Sequence, residues 1–162
     1  VAAARALGTP LIIHQPSYSI VNRWIEDGLT DALRQEGLGA IAFSPLAQGL
    51  LTAKYLGDGP GQRSQRRSSL PPAGTVTPEG RARLQSLDAI ARERGQSLAQ
   101  MSLQWILRDP VVASALIGAS STAQLDENIA AAQGPAFSAE ELAEIDRLAA
   151  DGAANIWVTG EA

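Results

Sequence analysis

The chain has 162 residues, 45% of them hydrophobic, a formal net charge of −4, no cysteine and one histidine. That is enough chain for one ordinary domain with a real core, and the acidic balance argues against a nucleic-acid or anionic-membrane surface. The composition excludes disulfides, thiolate catalysis and cysteine or multi-histidine metal sites, and no apolar run approaches the roughly 20 residues that span a bilayer.

Residues 1–7 are alanine-rich and read as a helix stopped by Gly8, without the pattern of a secretory leader. A helix at the very first residue, with neither methionine nor cap, gives the expectation that the chain begins inside a larger protein. Cytoplasmic residence is the expected compartment. Residues 11–15 (Leu-Ile-Ile-His-Gln) read as a buried strand, and 23–36 as mostly helix. Gly37 and Gly39 break the chain before a second buried strand, 40–44. The stretch 57–76, rich in Gly, Pro, Ser and Arg, has no hydrophobic period and reads as a mobile loop within a single partial domain, 1–162.

Thr77-Pro78 then opens a helix, with threonine as N-cap and proline in the first turn. Leu84, Leu87, Ile90 and Ala91 recur at helical spacing, which predicts a buried stripe. Ser97 with Gln100 predicts a capping box for a helix through Met101, Leu103 and Leu107, ended by Asp109-Pro110. Residues 111–117 are the third strand, rich in β-branched side chains. Ser121 with Gln124 predicts another capping box for a helix to about Ala132. Ser138 with Glu141 predicts a third, for a helix turning Leu142, Ile145 and Leu148 inward.

Helices and strands therefore alternate, the pattern of an α/β fold with a parallel sheet. Three such strands leave two open edges, whereas parallel sheets are normally covered. Further strands are expected upstream of Val1. The polar residues that follow each strand matter most, because ligands of parallel α/β folds sit outside the carboxyl ends of the strands. Neither a glycine-rich dinucleotide fingerprint nor a G-x-S-x-G nucleophile elbow is present.

Three segments carry a resemblance: 14–19 (His-Gln-Pro-Ser-Tyr-Ser), 42–55 (Ala-Phe-Ser-Pro-Leu-Ala-Gln-Gly-Leu-Leu-Thr-Ala-Lys-Tyr) and 116–121 (Leu-Ile-Gly-Ala-Ser-Ser), the last with Gln124, Glu127 and Asn128. In this order and spacing they resemble the C-terminal half of an aldo-keto reductase. The wording is closest to the branch holding L-glyceraldehyde-3-phosphate reductase and the β subunits of voltage-gated potassium channels. The resemblance implies a (β/α)8 TIM barrel, of which this chain supplies about strands six to eight, and NADP(H) as cofactor. The implied reaction reduces aldehydes or ketones to alcohols by hydride transfer, with small phosphorylated aldehydes such as L-glyceraldehyde 3-phosphate among the candidate substrates.

Residue by residue, Gln15 matches the family's strand-six glutamine, which hydrogen-bonds the nicotinamide carboxamide; an amide both donates and accepts. Phe43 matches the aromatic that stacks on the nicotinamide ring. Taken alone, a strand-end glutamine and a core phenylalanine would be ordinary. Ser44, Pro45, Leu46, Ala47, Gln48 and Gly49 match the loop around the pyrophosphate, where backbone N–H groups and a hydroxyl suit phosphate. Lys54 matches a basic residue at the phosphate end, although an exposed lysine is usually only solvated. Gly118, Ser120, Gln124, Glu127 and Asn128 match the segment that holds the 2′-phosphate and adenine. Ser120 and Ser121 stand at a helix start, where free N–H groups and the dipole attract anions; an ordinary capped helix would read the same. Leu125 and Ile129 are expected to pack inward. No arginine or lysine lies between Gly118 and Asn128, so NADP over NAD rests on the resemblance. Arg63, Arg66 and Arg67 lie where relatives carry a cofactor-clasping arginine, with a solvated cluster as the equal alternative.

His14 adjoins Gln15, and strand alternation turns the two oppositely, so His14 is expected to be no catalyst. The family's catalytic tyrosine, lysine, aspartate and histidine come from the first half of the barrel. This chain carries no matching motif; Tyr18 and Tyr55 lie in other contexts. The expectation is that the 162 residues alone are inactive and poorly folded. A non-catalytic NADP(H)-sensing regulatory subunit and an unrelated α/β binding domain are the competing readings. Asn155-Ile156-Trp157 could reach the barrel mouth or simply cover a helix end.

Overall fold

The computed structural model describes residues 1–57 and 77–149. Most of the expected loop 57–76, with Arg63, Arg66 and Arg67, lies outside the described residues, as does the segment around Trp157. The elements are α1 (Ala2–Ala6), β1 (Ile13–His14), α2 (Leu29–Gln35), β2 (Gly39–Phe43), α3 (Pro78–Glu93), α4 (Leu98–Leu107), β3 (Val112–Leu116), α5 (Thr122–Ala130) and α6 (Ala139–Ala149). Short 3-10 turns occupy Trp24–Glu26, Ala47–Gly49, Ala53–Tyr55 and Ala131–Gln133.

The strands form one parallel sheet in the order β1-β2-β3. Ile13 pairs with Gly39 and His14 with Ala40, and the same offset returns at an isolated bridge between Ser17 and Phe43. On the other side Phe43 pairs with Leu116, after a register irregularity at Ala40/Ile41. Strand alternation sorts β2 by face. Ala40 and Ala42 are fully buried in the core shared with the helices, whereas Gly39, Ile41 and Phe43 are half-buried on the other face.

Local chemistry sets the helix starts largely as the sequence predicts. The Thr77 hydroxyl accepts the Gly80 N–H at 3.1 Å, with Pro78 in the first turn. Ser97 and Gln100 make the full reciprocal box at 3.2 and 2.9 Å, and Ser138 and Glu141 do so at 3.1 and 2.7 Å. Leu84, Leu87 and Ala91 are buried along α3, with Ile90 packed against them. The centre of the core is Trp105 on α4, a residue absent from the stripe read off the sequence. Its ring lies 5.4 Å from that of Tyr18, with the Arg108 guanidinium 3.6 Å and the Arg23 guanidinium 5.0 Å from its centroid.

A second polar knot joins α3, α4 and α6. The Arg94 side chain is 2% exposed. It donates to Glu141 Oε2 at 2.5 Å, Gln104 Oε1 at 3.0 Å, the Pro135 carbonyl and Gln96 Oε1, and it lies 3.8 Å from the Phe137 ring centroid. A buried guanidinium is tolerable because carboxylate, amide and carbonyl oxygens share its donors.

Three expectations fail. The first strand is two residues long rather than five, and Leu11, Ile12 and Ile13 are 51%, 75% and 45% exposed rather than buried. β1 is the sheet edge; its ladder is with β2 alone, so the apolar run has no second neighbour among the described residues. Leu125 and Ile129 are likewise exposed, because α5 turns Asn128 inward and packs on α4 and the 131–133 turn. The Ser121 box is only half formed. Ser121 Oγ accepts the Gln124 N–H at 3.2 Å, but Gln124 Oε1 reaches past Ser121 to the Ser120 N–H and hydroxyl at 2.8 and 3.0 Å.

Candidate functional site

Parallel pairing brings the carboxyl ends of the three strands to one rim. Ser17, Phe43 and Leu116 stand at one level across the sheet. Phe43 anchors that level: its N–H donates to the Pro16 carbonyl at 2.9 Å, and its carbonyl accepts the Tyr18 N–H at 3.2 Å. Gln15 is exposed and lies two residues before Ser17. It lies between His14, the last residue of the β1 ladder, and the isolated Ser17–Phe43 bridge. His14, level with Ala40, belongs to the helix-packed face, although it is itself exposed. Gly118 and Ser120 follow Leu116 by two and four residues, so they continue from the same rim.

Residues 44–49 leave β2 in an unusual conformation. Ser44, Ala47 and Gln48 have φ of 52°, 47° and 57°, and Gly49 has 96°. Three non-glycine residues in the left-handed region are costly, and buried neighbours hold them there: Pro45 and Ala47 within the loop and Leu50, Leu51 and Tyr55 just after it are all buried. The N–H groups of Ala47, Gly49, Leu50 and Leu51 donate to carbonyls within the loop. The Thr52 hydroxyl closes it by donating to the Gly49 carbonyl at 2.6 Å. Lys54 is exposed and folds back on it: a Cβ added at Gly49 would lie 4.0 Å from Lys54 Nζ. The backbone donors the sequence suggested for phosphate are thus partly spent inside the loop, and Lys54 supplies positive charge beside it.

On the third segment, Gly118, Ser120 and Glu127 are exposed and Gln124 is half-buried. Asn128 is 6% exposed, and its Nδ2 has no hydrogen-bond partner. A buried amide donor without a partner is uncommon. Gln100 Nε2 donates to the Glu127 carbonyl at 3.1 Å and fixes this end of α5 to α4. Among the described residues no cluster of three or more His, Asp or Glu side chains could hold a metal, and no helix is long and apolar enough to cross a membrane. An apolar hollow lined by Val1, Arg5, Gly8, Pro10, Leu11 and Leu38 lies where the strands begin, away from the rim.

Tyr18 is buried behind the rim. Its hydroxyl donates to Glu26 Oε1 at 2.5 Å and accepts from Arg108 Nη1 at 3.2 Å. Burial pushes its pKa strongly up, and the Glu26 hydrogen bond adds to the rise against the opposing pull of Arg108. For Glu26 burial alone would raise the pKa, but hydrogen bonds from Arg23 and Tyr18 outweigh it and leave the carboxyl below its usual value. The Tyr18 proton is therefore held inside a structural network. Sequence reading missed Asn22 and Trp24, whose side chains fasten Ser17; neither lies in a motif or on a periodic stripe.

Comparison with known proteins follows the same outline. The Aldo/keto reductase family matches residues 1–150. L-glyceraldehyde 3-phosphate reductases of Escherichia coli O157:H7 and of strain K12 are each 48% identical over 153 residues, covering 91% of this chain and 44% of theirs. An oxidoreductase of Bacillus subtilis (strain 168) is 33% identical over 123 residues, 76% of this chain and 36% of its own. The chain thus spans less than half the length of these relatives. Among solved structures, the glycerol dehydrogenase of Gluconobacter oxydans superposes with a TM-score of 0.72 at 23% identity, over 94% of this chain and 47% of that one. A thermostable aldo-keto reductase in complex with the inhibitor epalrestat gives 0.61 at 26% identity, over 89% and 43%. The three parallel strands with their helices are part of a TIM barrel, and the chain belongs to the aldo/keto reductase family.

Proposed function

We propose that this chain is the cofactor-binding portion of an NADP(H)-dependent aldo-keto reductase that reduces aldehydes or ketones. Small phosphorylated aldehydes resembling L-glyceraldehyde 3-phosphate are the first substrates to test, because the relatives that share 48% of its residues are named for that activity. The observation that supports the reading is the common level of Ser17, Phe43 and Leu116, which Gln15 precedes by two residues and which the 44–49 loop and Ser120 follow in the chain.

The residues fit such a cofactor. Gln15 is exposed, so its amide is accessible to a carboxamide. Phe43 is half-buried, with its backbone N–H and carbonyl both held by segment 16–18, which suits a ring that must hold one face of a flat partner. Lys54 beside Gly49 offers charge to a phosphate. The unpartnered Asn128 Nδ2 is a donor that an adenine nitrogen would satisfy. When bound, the reduced nicotinamide supplies a hydride; this chain binds and orients, and the proton donor comes from other residues of the barrel. The 162 residues alone are accordingly inactive, and a cytoplasmic compartment completes the reading.

The test uses the natural full-length polypeptide. NADPH should bind, and its absorbance should fall when L-glyceraldehyde 3-phosphate is added. Gln15→Ala and Phe43→Ala should each weaken NADPH binding by about tenfold, the scale of roughly 1.4 kcal/mol. Saturable NADPH binding without turnover of any aldehyde would favour a regulatory role, and no NADPH binding would sink the proposal.

A further inference from the structure

We propose that Trp24 is a positioning residue that sets Phe43 through Ser17. The inference deepens the cofactor reading and rests on it.

The regular ladder between β1 and β2 stops at His14. Pro16 has no N–H to continue it. Pairing returns only at the isolated Ser17–Phe43 bridge. The backbone of Phe43 is held on this side by segment 16–18, through the Pro16 carbonyl and the Tyr18 N–H. Something other than a ladder must therefore hold Ser17 in place. The structure assigns that task to two side chains from the turn beyond. Trp24 Nε1 donates to the Ser17 carbonyl at 2.9 Å and lies 3.3 Å from its hydroxyl, and Asn22 Nδ2 donates to the same hydroxyl at 3.0 Å.

Trp24 is an odd choice for a core residue. It is 41% exposed, while Ser17, which it grips, is 4% exposed. Its indole N–H reaches inward while much of its ring stays outside. A phenylalanine would keep an aromatic ring at the position, though a smaller one, but could not donate. The donor is what the position uses. Loss of it frees Ser17 from one of the two side chains that grip it and loosens the segment at Ser17, although Tyr18 still ties the next residue to Glu26. Phe43 then loses the fixed backbone that orients its ring.

The experiment is a double-mutant cycle in the natural full-length protein, read as the dissociation constant for NADPH by fluorescence titration. Trp24→Phe should raise it about fivefold, the equivalent of one hydrogen bond of roughly 1 kcal/mol. In a Phe43→Ala background the same change should add nothing, because the two act through one contact. A generally structural tryptophan would instead give fully additive effects. Additive effects, or an unchanged constant for Trp24→Phe beside a weakened Phe43→Ala, overturn the inference and leave the cofactor reading standing. A Phe43→Ala protein that binds NADPH as tightly as wild type removes the cofactor reading, and this inference with it. Should Trp24→Phe not fold, the same cycle run with Trp24→Leu, which also removes the indole N–H that the Ser17 carbonyl accepts, decides by the same two outcomes.

Discussion

The Tyr18 hydroxyl donates to Glu26 Oε1 at 2.5 Å, which ties the segment after β1 to the turn at Trp24–Glu26. Arg108 from the end of α4 meets both partners, at 3.2 Å from the phenol oxygen and 3.4 Å from the carboxylate. The segment that carries Ser17 is thus fastened to the helix layer through charge-assisted bonds, the stronger kind. Tyr18→Phe should cost about 1–3 kcal/mol at neutral pH, measured by urea unfolding, because a part-buried carboxylate loses a donor.

The same pair gives stability two pH limits. The folded pKa of Tyr18 is raised, so its contribution is complete below the unfolded value of about 10 and is lost as pH climbs from there toward the folded value. Wild-type melting temperature should fall more steeply above about pH 10 than that of Tyr18→Phe. Glu26 is depressed, so its contribution is present above the unfolded value of about 4.3 and is lost as pH drops through the lower folded value. Glu26→Gln should flatten the acid limb. Parallel curves for wild type and variant would contradict the assignment.

Arg94 is the second fastener to test. Arg94→Ala leaves Glu141, Gln104 and the Pro135 carbonyl without their shared donor. A loss of about 3 kcal/mol is expected in chemical denaturation. Arg94→Lys should recover only part of it, since an ammonium cannot reproduce the planar fork.

Gly134 borders that knot. A Cβ there would lie 2.3 Å from Gln96 Nε2 and 2.5 Å from Gln104 Oε1. Its φ of −64° is ordinary, so the clash alone is at stake. Both glutamines have flexible ends, but they bond each other at 2.9 Å and Gln104 also holds the Pro135 carbonyl at 2.7 Å. Gly134→Ala should therefore destabilise by about 1–3 kcal/mol, and less in an Arg94→Ala background, where Gln104 can move. Equal losses in both backgrounds would show that the site does not behave as one network.

Lys54 provides a salt-sensitive probe of the proposed phosphate end. Lys54→Met in the full-length protein should weaken NADPH binding about fivefold at low ionic strength, with a smaller difference at about 1 M salt, where screening shortens to roughly 3 Å. A salt-independent effect would point to packing against Gly49 instead of charge.

Helix starts were legible because they are local: Thr77, Ser97 and Ser138 cap through atoms three residues away, which spacing alone reveals. Parallel pairing was legible because alternating helices and strands leave it as the main solution. Burial was not, where it depended on what lies across from a residue. Leu125 and Ile129 repeat at helical spacing and look like an inward stripe, yet Asn128 takes the inward face of α5. The run 11–13 is as apolar as a central strand, and it sits at an edge. Trp24 could not be singled out either, because its role is one hydrogen bond to a residue seven positions back.

The family, the parallel α/β pattern and the candidate site residues could be read directly from the residues, since motif order and short-range capping are written in adjacent letters. That Ser17, Phe43 and Leu116 share one level, that Asn128 is buried with its Nδ2 unpartnered and that Trp24 bonds Ser17 emerged from the folded arrangement. Those depend on strand register and on the contacts between distant segments, which come from packing and have no local signature.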